Sequence, residues 1–128
     1  MSRNSDRSKQ TSQAPTENEA ATYDRLVPML EAAHHEMTEL SKKKQDGVVN
    51  ALKIKILNRL LTELGNILEN DPSSEFVELI DDETLPQNSD VVLLLSQWRS
   101  ALEQYKNVHY GFDGVSKRWF TVESPKNS

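Results

Sequence analysis

The sequence predicts an all-α fold, a small helical bundle, from two observations. Apolar residues recur every three or four positions along long segments, and helix-start and helix-stop signals separate those segments. At 128 residues one hydrophobic core is the expected number. The expected architecture is three principal antiparallel helices running up, down and up. A short helix joins the second and third, and the aromatic C-terminal tail is extended or hairpin-like.

Residues 1–15 are Ser-, Gln-, Asn-, Arg- and Lys-rich with almost nothing to bury, so ordering them costs backbone entropy without compensation. They are predicted to be a disordered arm. Thr16 followed by Glu19 has the spacing of a capping box and starts a helix over about 17–44. Its stripe is Tyr23, Leu26, Leu30, Ala33, Met37 and Leu40, which faces one side only. Pro28 inside this stripe removes a ladder bond and crowds the carbonyl of Asp24, predicting a kink or a restart. Lys42, Lys43 and Lys44 meet the negative helix end before the Asp46-Gly47 turn.

The second helix, about 48–69, carries apolar residues over an arc wider than one seam needs, which predicts a central helix with neighbours on two sides. Asn70-Asp71-Pro72 stops it, and Asp71 or Ser73 is set to cap a short helix over 74–81. Asn88 or Ser89 is predicted to cap the last long helix, 89–107, whose stripe is Val91, Leu94, Leu95, Trp98, Leu102 and Tyr105. Val92 and Leu93 fall off that stripe and call for a second covering surface. Residues 108–122 form the aromatic tail, with Asp113-Gly114 as a hairpin signal, and 123–128 read as disordered.

Composition narrows the function classes. The absence of cysteine removes disulfides, thiolate zinc sites and thiol nucleophiles. The N-terminal residues lack a signal-peptide core, and charges interrupt every apolar run before a membrane span is reached, so a soluble cytoplasmic protein is expected. The net charge of −5 argues mildly against general nucleic-acid binding. Charge is uneven: Lys42 to Arg59 is basic and Leu61 to Asp90 is acidic, which predicts a basic end and an acidic end.

Candidate chemistry is sparse. Glu31 and His34 make one E-x-x-H, but a bundle metal site needs the motif twice with further inward carboxylates. No metal site or cofactor is expected. Glu36 with Glu39, and Glu75, Glu78, Asp81 and Asp82, resemble the paired carboxylates with which MazG-type nucleotide pyrophosphohydrolases hold magnesium. The resemblance implies such an enzyme as the third-ranked function, although the spacing between pairs departs from the family's. His34, His35 and His109 lack a serine in a nucleophile elbow, and the glycines form no phosphate loop.

A second reading is a nucleic-acid-associated factor. Lys42, Lys43, Lys44, Lys53, Lys55, Arg59, Lys117 and Arg118 would neutralise phosphates, while Trp119 and Phe120 stack on bases. Burial of a tail hairpin against the bundle accounts for the same aromatics. The favoured function is protein–protein interaction or assembly, with a homodimer formed through Leu57, Leu61, Leu68, Val92 and Leu93.

Overall fold

A computed structural model of the chain describes residues 12–127. Its first helix, α1 (Glu17–Lys43), opens as the capping box predicts: Glu19 N–H donates to Thr16 Oγ1 at 3.0 Å and Thr16 N–H donates to Glu19 Oε1 at 2.9 Å. These two bonds satisfy donors that a bare helix start leaves open. Pro28 neither stops nor restarts α1. It lies on the exposed side together with Asp24, so the carbonyl deprived of its partner faces solvent rather than the core.

The second helix, α2 (Ala51–Ile67), starts later than its apolar pattern suggests. Val48 instead forms a bridge with Gln87, and Asn50 caps the helix by accepting from Lys53 N–H at 2.8 Å. A 3-10 turn, Pro72–Phe76, follows, with Asp71 accepting from Ser73 N–H at 3.0 Å. The predicted helix over 74–81 is not formed. Residues 77–81 are non-helical because Asn58 on α2 binds the backbone of Ile80 at both ends, donating to its carbonyl and accepting from its N–H, each at 2.8 Å. That pairing replaces the helical ladder, and Ile80 becomes buried while Phe76 and Leu79 stay exposed.

The last helix, α3 (Asn88–His109), has Gln87 rather than Asn88 or Ser89 at its cap position. Asn88 is used elsewhere: its side chain donates to Lys44 O at 2.8 Å and its N–H to Gly47 O at 2.7 Å. A Cβ at Gly47 would stand 2.9 Å from Asn88 Nδ2 and 3.2 Å from Lys44 O, so a larger residue there would displace the Asn88 side chain from this bond. The α1–α2 turn is thereby stitched to the start of α3.

Three pairings fix the direction of the helices. Tyr23, Glu31 and His34 on α1 bond to Leu102, Arg99 and Ser96 on α3, in reverse order. Glu36 on α1 pairs with Lys53 near the start of α2, so α1 is antiparallel to α2 as well. Consequently α2 and α3 run parallel to each other, and the up-down-up expectation holds only for α1 against each neighbour. The backbone of α1 lies against both other helices, while α2 meets α1 on one side and, on another, the Trp98 ring of α3 at Gly65 and the return segment at Asn58. Residues 68–87 carry the chain back from the end of α2 to the start of α3. On the way Glu78 O accepts from Trp98 Nε1 at 2.9 Å and Pro86 O accepts from Val49 N–H at 2.9 Å. A helix the length of α2 spans ~25 Å, which about eight extended residues can cover.

That return path also revises the charge map. The acidic segment lies along α2 beside Asn58, between Lys55 and Arg59 in sequence, so no separate acidic end faces a basic one.

Strands β1 (Tyr110–Phe112) and β2 (Lys117–Trp119) form an antiparallel hairpin with Tyr110 opposite Trp119. Gly114 at φ 102° makes the turn, a region that other residues rarely enter. Asp113 accepts from the N–H groups of Val115 and Ser116 and from Arg118, which hold its carboxyl at about 2. The expected disordered segments are partly packed. Pro15 is buried, its carbonyl accepts from Val122 N–H at 2.8 Å, and Glu123 accepts from Glu17 N–H at 2.9 Å. Ser124 and Pro125 accept from the Arg118 guanidinium. Ser12, Gln13, Pro15 and residues 123–125 are therefore bonded to the rest of the fold, and residues 1–11 of the predicted arm lie outside the described residues. Among the described residues no helix is long and apolar enough to cross a membrane.

Candidate interaction surface

The wide apolar arc of α2 divides into two sets of residues. Ile54, Leu57, Leu61, Leu64, Ile67 and Leu68 are buried, with Leu61, Leu64 and Leu68 wholly enclosed. Leu52 and Ile56, one turn apart, remain 68% and 59% exposed. Burial of a leucine side chain contributes about 1.5–3 kcal/mol, and that contribution is unused at these two positions. The interface assigned from sequence to Leu61 and Leu68 is thus corrected, since both are enclosed in the chain's own core, whereas Leu57, though buried, also lines the groove between α1 and α2. Val92 is half-buried against that core, and Leu93 alone of the five is open, at 63%.

Ile56 does not stand alone. It borders a groove of about 490 Å³ between α1 and α2, with Met29, Ala32, Ala33, Glu36 and Lys53 on its walls. Met29 is 55% exposed, and the small Ala32 and Ala33 leave the α1 backbone accessible to a close neighbour. Lys53 and Glu36 form an ion pair of 3.0 Å across the groove. Both charges are partly solvated, so the pair adds little to stability and orients more than it binds. Sequence reasoning missed Met29, Ala32 and Ala33 as a surface, although Met29 stands off the α1 stripe and Leu52 and Ile56 widen the α2 arc.

The structure disperses the nucleic-acid candidates. Trp119 is half-buried, donates from Nε1 to Asp24 at 3.1 Å, and meets Tyr23 edge-on at 4.8 Å. Phe120 is buried. Arg118 is held by Asp113 at 2.7 Å and by the tail carbonyls. Lys42 pairs with Glu39 and Lys53 with Glu36. Lys43, Lys44, Lys55, Arg59 and Lys117 form no ion pair among the described residues, and Lys117 lies on β2 of the hairpin whereas the other four lie on α1, α2 or the turn between them.

Of the carboxylate candidates, Glu31, Glu36, Glu39 and Asp81 are similarly committed. Glu31 pairs with Arg99 at 2.7 Å and His34 Nε2 lies 2.9 Å from Ser96 Oγ, so the E-x-x-H joins α1 to α3. Asp81 accepts from Glu83 N–H and the Thr84 hydroxyl, which lowers its pKa. Among the described residues no three His, Asp or Glu side chains converge as metal ligands. Ser12 Oγ donates to Asp71 Oδ1 and lies 2.7 Å from His109 Nε2. The serine stands between the acid and the histidine here, whereas a nucleophilic triad needs the histidine in the middle.

Comparison of the chain with protein-family models, with curated proteins and with solved structures found no match in any of the three.

Proposed function

We propose that the chain is a cytoplasmic protein–protein interaction module that self-associates as a homodimer through the α1/α2 groove. The observation that carries this reading is the contiguity of exposed Met29 and Ile56 around an open apolar groove lined also by Ala32, Ala33 and Leu57, with exposed Leu52 one helical turn before Ile56. A second copy suits the groove because an isologous contact needs both partner charges on one patch. The patch has Glu36 and Lys53, which a two-fold axis can exchange between copies.

Light scattering coupled to gel filtration tests the reading. The wild-type chain is expected to elute as a dimer, and Ile56→Glu as a folded monomer with an unchanged far-UV spectrum. Leu61→Ala provides the contrast: removal of an enclosed core leucine costs about 2–5 kcal/mol of stability without selectively altering association. A wild-type monomer at all concentrations would overturn the proposal. Copurification with nucleic acid that is lost steeply on adding salt would put the basic residues of α2 first instead.

A further inference from the structure

On the opposite side of α1, the ammonium of Lys106 lies over the aromatic rings of the hairpin and its neighbours. It is 4.6 Å from the Tyr110 centroid, 5.7 Å from Trp119 and 6.0 Å from Tyr23. The rings stand as walls at steep angles: Trp119 makes 68° with Tyr23 and 76° with Tyr110. Three ring faces turned toward one cation is the arrangement that recognises quaternary ammonium groups, whose positive charge is spread over methyls and poorly hydrated. A primary ammonium such as that of Lys106 is strongly hydrated and gains less from the same walls.

The surroundings favour a cation independently of the rings. Tyr23 and Lys106 also line a groove of about 390 Å³ between α1 and α3, bordered by Glu31, Arg99 and Glu103. Arg99 is neutralised by Glu31 at 2.7 Å, which leaves Glu103 without an ion pair among the described residues. Asp24 adds a carboxylate behind Trp119. With Lys106 swung aside, an open, acid-bordered space therefore adjoins aromatic walls. Lys106 is half-buried at the boundary between the groove and the rings, on a flexible stem that needs no backbone change to leave.

We infer that Tyr23, Tyr110 and Trp119 form an aromatic cage for a quaternary ammonium group, and that Lys106 fills it from within when that ligand is absent. The ligand enters from the α1/α3 groove, its methyls replace the lysine ammonium against the rings, and Glu103 faces its charge. This site is separate from the apolar groove on the other face of α1, and it does not depend on dimerisation.

The test is a titration of the full chain and of Lys106→Gln, followed through the Trp119 indole N–H resonance. Probes are choline, a trimethyllysine peptide with its unmethylated counterpart, and neutral 3,3-dimethylbutanol, which has the shape of choline without its charge. Choline or the trimethylated peptide is expected to give a saturable shift, with Lys106→Gln binding about tenfold tighter than wild type because the internal competitor is gone. Preference for choline identifies a small solute, and preference for the peptide identifies a methylated protein; either supports the cage. Equal binding of the neutral isostere, or no saturable shift in a folded Lys106→Gln, overturns it. If that variant does not fold, wild type titrated with tetramethylammonium chloride decides: a drift no larger than sodium chloride produces overturns the cage.

Discussion

Two histidines couple the fold to pH. His109 is buried against Tyr105 and Ser12, and burial lowers its pKa from 6.5 despite the opposing charge of Asp71. His34 is lowered from the same value, first by burial and then by Arg99. The unfolded chain therefore binds more protons than the folded chain just below the ordinary histidine value, and stability rises with pH there. The contribution is complete above the unfolded value and is lost as pH falls through it toward the folded values. Urea midpoints measured at about pH 7.5 and about pH 5.5 should fall with acidification. The double variant His34→Gln with His109→Gln should show a smaller fall, and an equal fall in both proteins would refute this assignment. Neither effect could be read from sequence, where His34 flanks a stripe and His109 stands in a tail.

At the scale of elements, the two long stripes and the Thr16–Glu19 box were legible because a helix places positions three and four apart on one face. The segment after α2 was not legible. Phe76, Val77, Leu79 and Ile80 have helical spacing, but helix propensity is a weak preference over so short a stretch. One tertiary partner, Asn58, outweighs it by binding both backbone groups of Ile80. Asn58→Leu should leave a buried N–H and carbonyl unpaired, at a cost of about 1–3 kcal/mol. Hydrogen exchange provides the check: protection at the Ile80 amide should drop while the middle of α1 keeps its protection. Unchanged protection at Ile80 would mean that the hydrophobic contact alone holds the segment.

For the whole molecule, the return of residues 68–87 along the bundle makes α2 and α3 parallel and spreads the acids over its length. The same arrangement encloses Leu57, Leu61 and Leu68 and leaves Leu52 and Ile56 outside. Surplus apolar surface was therefore correctly expected on α2, but which residues supply it depended on where the return segment and α1 come to lie. If that surface joins two copies, folding is linked to association, and the thermal midpoint should rise with protein concentration. Ile56→Glu should melt at one temperature across the same concentration range. A concentration-independent midpoint in the wild type would argue against dimer formation at those concentrations.

The sequence by itself determined the helical class, the approximate extent of α1 and α3, the first cap and the Asp113-Gly114 turn. Each rests on interactions between residues a few positions apart, where spacing alone dictates geometry. Tertiary structure decided the parallel course of α2 and α3, the exposed edge of the α2 arc, and the meeting of Lys106 with Tyr23, Tyr110 and Trp119. Those depend on contacts between residues distant in the chain, and no local periodicity records which distant surfaces will meet.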